Sequence, residues 1–200
     1  YGGVSPEHDV SLLSASSILQ NLNYQKYHIT LIKISKNGQW ISQPEMLKRD
    51  FPQLRRPESD FHFAGTPAWD FFTQTAEKSV SQHSIDAIFP ILHGTGGEDG
   101  TLQGFLELLN LPCVGSGCAS SALCMDKGLA KKILIYHGLP VVPFVELFRH
   151  QWQENRGKTD WPKLPFPFPV FVKPADSGSS IGVNKEIGRA SCRERVFRTV

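Results

Sequence analysis

The chain has 200 residues, 40% of them apolar, and a formal net charge of +2. That length suits one large domain or two small ones and supports a sizeable core. Basic residues are scattered through the first 185 positions, so no basic stripe marks a nucleic-acid or anionic-membrane surface, and no apolar run approaches a membrane span.

No signal-peptide pattern opens the chain. Tyr1 is not an initiator Met, and Gly2-Gly3 is a turn with no strand before it, so the natural N-terminus is expected upstream. Cys113, Cys118, Cys124 and Cys192 show neither paired CxxC spacing nor a His partner at metal spacing. They are expected to be free, mostly buried thiols in a reducing cytosol.

Residues 1–22 read as a turn into a helix. Ser5 suits an N-cap, Pro6 the first helical position, and Glu7 and Asp9 the positive helix end. Val10, Leu13, Ser17, Ile18 and Leu22 fall near one face, which predicts the buried side. On this reading Glu7 and Asp9 are simply first-turn acids. Residues 27–34 predict a strand, and Lys36-Asn37-Gly38-Gln39 is a hairpin signal leading into Trp40-Ile41. Residues 43–84 are polar and Pro-punctuated, a surface excursion with one short helix near 68–77.

Residues 85–92 form a buried strand, with Pro90 placing it at an edge or near the strand end. It runs into His93-Gly94-Thr95-Gly96-Gly97-Glu98-Asp99-Gly100, after which Leu102, Phe105, Leu106 and Leu109 recur at helical spacing. His93 thus sits at a strand's carboxyl end, where open α/β sheets bind ligands; a lone His satisfied by loop carbonyls is the alternative. Residues 111–117 give a short strand and turn. Gly115-Ser116-Gly117 lacks the third glycine and the acidic partner of a dinucleotide fingerprint.

Residues 118–136 predict a helix in two pieces, the second capped by Asp126 and stopped by Gly138. Lys127, Lys131 and Lys132 read as a solvated face, although Lys127 lies in the first turn, an unfavourable place for a cation. Residues 140–147 predict a strand and 148–167 a linker or surface arm.

A strand then leads from Phe168 through Val172 into Lys173-Pro174-Ala175-Asp176-Ser177-Gly178-Ser179-Ser180-Ile181-Gly182-Val183. Gly178 and Gly182 allow backbone angles that a Cβ forbids, and converging loop amides can hold an anion. Lys173 adds a point charge suited to phosphate. An ordinary turn stays open as the alternative. Strand–helix alternation to about residue 117 predicts a parallel sheet with helices on both faces, and a second unit starts near 118.

Taken together these blocks resemble a family. Gly2-Gly3-Val4-Ser5-Pro6-Glu7-His8-Asp9-Val10-Ser11-Leu12 is similar to the opening signature of D-alanine–D-alanine ligases. The stretch from His93 to Gly104 is similar to their second signature. Gly115-Ser116-Gly117, Ala122 and Met125-Asp126-Lys127 resemble the next block. Val172-Lys173-Pro174 with Gly178-Ser179-Ser180-Ile181-Gly182-Val183 resembles the ATP-grasp phosphate loop. The Lys36–Trp40 hairpin resembles the longer-armed subtype. The resemblance covers about residues 1–185.

The resemblance implies an α/β fold: a Rossmann-like preATP-grasp parallel-sheet domain over 1–117, then the start of an ATP-grasp domain over 118–185. It implies ligation of two D-alanines through an acyl phosphate, with ATP and Mg²⁺, for peptidoglycan precursor synthesis in the cytoplasm. Glu7 would hold the first D-alanine's ammonium group, or orient its helix by hydrogen bonding to Ser179. His93 would contact the substrate region. Lys127 and Lys173 would neutralise ATP phosphates under a loop of Gly178, Ser179 and Ser180. The expected partners are small molecules, not nucleic acid or membrane, with monomer and homodimer both open. Residues 186–200 have no counterpart and look like a translated adapter tail. The Mg²⁺ ligands are expected downstream, so a chain of this extent is expected to be inactive. A D-alanine–D-lactate or D-alanine–D-serine ligase and a non-catalytic binding module remain alternatives.

Overall fold

The computed structural model describes residues 1–65, 85–155, 164–178 and 180–188. The helix expected near 68–77, Ser179 and the tail from 189 onward lie outside the described residues. The chain divides into two compact units, Tyr1–Ala122 and Leu123–Val200.

In the first unit a turn leads into α1 (His8–Asn21). Short strands β1 (Ile29–Thr30), β2 (Lys33–Ile34) and β3 (Trp40–Ile41) follow, then α2 (Glu45–Asp50) and β4 (Phe61–His62). Next come α3 (Thr101–Leu108) and α4 (Cys118–Met125), the helix in which the first unit ends. The pairings explain the architecture. β1 runs parallel to β4, Gly2 bridges both Ile34 and Leu92 in parallel, and Ile88 bridges Cys113 in parallel. Numbered along the chain, these segments lie in the order 3-2-1-4-5, that of a doubly wound sheet.

The strand expected over 27–34 is split. Its outer neighbour changes at the break from β4 to β3, and the Ser42 hydroxyl donates to the Leu31 carbonyl there at 2.5 Å. The β2–β3 pairing is the expected hairpin, with Gly38 at φ +83°. The segment carrying Pro90 is interior rather than at an edge: it pairs at Leu92 on one side and at Ile88 on the other, the two bridges straddling the proline.

Alternation along the strand sends adjacent residues to opposite faces. Leu31 packs with Ala15, Leu19, Leu47, Phe51 and Phe61 under α1 and α2. Ile32 packs with Leu102, Leu106 and Leu111 under α3. The sheet is therefore covered on both faces, as expected.

The buried side of α1 differs from the predicted one. His8, Ser11, Ala15 and Leu19 face inward, while Val10 and Leu13 are exposed. The helix presents small and polar residues because it comes close enough for hydrogen bonds to the strand ends. It also begins at His8 rather than after Ser5: Ser5–Glu7 is a turn in which the Ser5 hydroxyl accepts the Glu7 amide at 2.9 Å.

The second unit holds α5 (Lys127–Tyr136), α6 (Arg149–Asn155), β5 (Val170–Val172) and β6 (Asn184–Glu186). Asp126 caps α5 as expected, accepting the amides of Gly128 (2.8 Å) and Leu129 (2.9 Å), and Gly138 stops it at φ +72°. Residues 140–147 are not a strand; Pro140 and Pro143 supply no amide to a ladder. Part of the expected linker is helical, as α6. β5 and β6 form an antiparallel pair closing the loop 173–183.

Candidate functional site

In the first unit the candidate residues gather where the strand order reverses, between segment 1–3 and the segment ending at Leu92. Ligands of doubly wound sheets lie beyond the strand carboxyl ends at such a point. Ser11 stitches the two strand ends: its hydroxyl accepts the Gly2 amide at 2.6 Å and donates to the Ile91 carbonyl. His8 donates from Nδ1 to the Gly3 carbonyl at 2.6 Å. Glu7 is buried at 8% exposure.

The 93–100 loop closes against this turn. Gly94 has φ +70°, and a Cβ there would run into the Glu7 carboxylate and the Ser5 hydroxyl, so only glycine fits. The Gly94 amide donates to Glu98 Oε2 at 2.9 Å, and Gln103 Nε2 donates to the Gly97 carbonyl at 2.8 Å. Asp99 accepts the amides of Gly96 (2.8 Å) and Thr101 (3.0 Å). Burial alone would raise the Asp99 carboxyl; these hydrogen bonds outweigh it and hold the group below its ordinary value. His93 lies between Ser14 Oγ, 2.9 Å from Nε2, and Glu98 Oε1, 3.6 Å from Nδ1. Thus Glu7 and the His93 loop, far apart in sequence, meet at the point where a doubly wound sheet leaves its crevice.

In the second unit the lysines gather at the hairpin. Lys127 donates from Nζ to the carbonyls of Ser177 (2.5 Å) and Ala175 (3.4 Å), and its amide donates to Ala175 at 2.9 Å. That explains a cation in the first turn of α5. Lys173 opens the loop at the end of β5. Ser180 adopts φ +61°, unusual for a residue with a Cβ, and turns close the loop from Ile181 to Gly178 (3.0 Å) and from Val183 to Ser180 (3.2 Å). Gly178 and Ser180 thus sit in a tight loop beside Lys127; Ser179 lies outside the described residues.

Sequence reading missed Ser11, Ser14 and Glu98, because hydrophobic periodicity carries no signal for a buried hydroxyl. It also left Lys131 among solvated residues. Among the described residues no group of three or more His, Cys, Asp or Glu side chains could hold a metal ion. No helix there is long and apolar enough to cross a membrane.

Residues 1–116 match the family model for the D-ala D-ala ligase N-terminus, and residues 133–197 that for the D-ala D-ala ligase C-terminus, a match running past Lys185. The chain is 43% identical over 194 residues to a D-alanine–D-alanine ligase of Enterococcus hirae, covering 94% of this chain and 53% of the relative. For that of Enterococcus faecalis the identity is 41% over 203 residues, covering 97% and 56%. Among solved structures, a D-Ala:D-Ser ligase from Enterococcus faecalis superposes with a TM-score of 0.70 at 29% identity, covering 100% of this chain and 57% of that one. The D-alanine–D-alanine ligase from Coxiella burnetii gives 0.69 at 31% identity, covering 99% and 58%. The chain spans about half the length of the curated relatives it matches. With the first family model matched over more than half of its residues and its glycine-marked crevice built from that matched part, the chain belongs to the D-alanine–D-alanine ligase family.

Proposed function

We propose that the whole protein joins two D-alanines, using ATP, in cytoplasmic peptidoglycan precursor synthesis. The observation that carries this reading is the convergence of the buried Glu7 turn and the His93 loop at the reversal of strand order. Glu7 supplies the negative charge for the ammonium group of the first D-alanine. His93, held between Ser14 and Glu98, lines the substrate region. The D-alanine carboxylate oxygen attacks the terminal phosphorus of ATP, and ADP leaves. The amine of the second D-alanine then attacks the acyl carbon, and phosphate leaves as the amide forms.

Residues 118–185 serve the nucleotide in this reading. Lys127 and Lys173 fit phosphate oxygens as point charges. The loop that holds Gly178 and Ser180 supplies backbone groups to those phosphates. Rate gain comes from positioning and charge rather than from a protein nucleophile. Mg²⁺ finds no donor set among the described residues, so no step is assigned to it.

The test is phosphate release by the full-length gene product, dependent on both ATP and D-alanine, with D-alanyl-D-alanine detected by mass spectrometry. Phosphate release without dipeptide would overturn the reading. A second reading is supported by the structural similarity to a D-Ala:D-Ser ligase: the same assay with D-serine or D-lactate as competing acceptor separates the two.

A further inference from the structure

The lysines of α5 face different surroundings. Lys132 is neutralised by Glu146 at 2.5 Å. Lys131 has no carboxylate partner among the described residues; its ammonium sits over the Phe144 ring, 4.6 Å from the centroid. Helical spacing puts Lys131 one turn after Lys127, on the same face. Lys127 is bonded to the loop that Lys173 opens. Burial, and then the charge of Lys173, push the Lys131 ammonium below its ordinary value. Like charges held near each other repel, and an anion placed among them relieves that repulsion.

We infer that Lys131, seated on the Phe144 ring, is a further phosphate-positioning residue of the nucleotide site. This rests on the reading of the 173–183 hairpin as a phosphate loop. The ring face holds the ammonium at a fixed place without neutralising it, which a carboxylate partner would do. Lys131 thereby contributes to phosphate binding with Lys127 and Lys173, while Lys132 stays tied to Glu146 and takes no part.

The test is binding of inorganic tripolyphosphate to the full 200-residue chain, by calorimetry at low and moderate salt. Lys131→Met should weaken binding about 5–10-fold and reduce its salt dependence, as loss of one charge-assisted contact does. Lys131→Arg should restore most of the affinity, whereas Lys132→Met should bind within about twofold of the parent. A merely structural role for Lys131 would alter melting temperature without altering the salt slope. Unchanged binding by Lys131→Met, with clear loss in Lys127→Met and Lys173→Met, would overturn the inference and leave the phosphate loop standing. Absence of tripolyphosphate binding by the parent chain would overturn the phosphate-loop reading itself, and the inference with it.

Discussion

The hydroxyl of Ser11 donates to the carbonyl of Ile91, so a helix side chain completes the hydrogen bonding of a strand that Pro90 interrupts. The same oxygen accepts the Gly2 amide at 2.6 Å, and Ser11 is wholly buried. Ser11→Ala leaves a buried donor and a buried acceptor, at a cost of about 1–3 kcal/mol each. Urea denaturation of the first unit should show that loss; a change under about 0.5 kcal/mol would mean water replaces the hydroxyl.

Gly94 and Glu7 make the crevice testable from two sides. Glu7→Gln keeps the shape and removes the charge, so D-alanine affinity should fall about 10–100-fold with the melting temperature little changed. Gly94→Ala should fail differently. It forces a Cβ into the Glu7 carboxylate at φ +70°, so both stability and binding should fall. Calorimetry with D-alanine and thermal melts, run on both variants, separate these outcomes.

Asp50, like Asp99, contributes to the acid sensitivity of the first unit. Lys33 donates to both its oxygens at 2.8 Å, with side-chain exposures of only 11% and 5%. Burial alone would raise the carboxyl, but hydrogen bonds from Lys33, Arg49 and Tyr1, with the Lys33 charge, outweigh it and hold Asp50 below its ordinary value. A depressed carboxylate stabilises fully above its unfolded value of about 4, and that stability is lost as pH falls through the lower folded value. Stability should therefore be flat in this respect from pH 5 to 8 and fall on further acidification. Asp50→Asn should cost about 3–5 kcal/mol at neutral pH by leaving Lys33 buried and unpaired, and should remove its share of that acid limb. Denaturant melts across pH would check both.

The cap of α5 is local. Asp126 accepts two amides of the first turn, so Asp126→Ala should destabilise the second unit by about 0.5–2 kcal/mol. Hydrogen exchange should show faster opening at Gly128 and Leu129 while Ala15 and Leu19 keep their protection. Faster exchange throughout the chain would argue against a local role.

What was legible in the sequence had a short-range cause. Asp126, Gly138 and the Asn37-Gly38 turn announce themselves through side-chain chemistry and backbone freedom, and each was found where expected. The buried face of α1 was misread because it turns Ser11 and Ala15 inward, a choice dictated by hydrogen bonds to Gly2 and Ile91 rather than by hydrophobicity. The strand expected over 140–147 failed because its residues favour extension but two prolines deny it partners. In the crevice, His93 stood out by its place at a strand end, whereas Glu7 stood out only through motif resemblance. Their meeting depends on pairings between residues dozens of positions apart, which no local pattern encodes.

Gly2 pairs with Ile34 on one side and with Leu92 on the other. A growing chain can form the first of these contacts early, but the second must wait until residue 92 has left the ribosome. Closing that long loop is entropically slow relative to helix formation. The Glu7 turn can therefore form before its opposing wall has been synthesised. A nascent chain halted before residue 92 would hold α1 without the crevice that α1 helps to build.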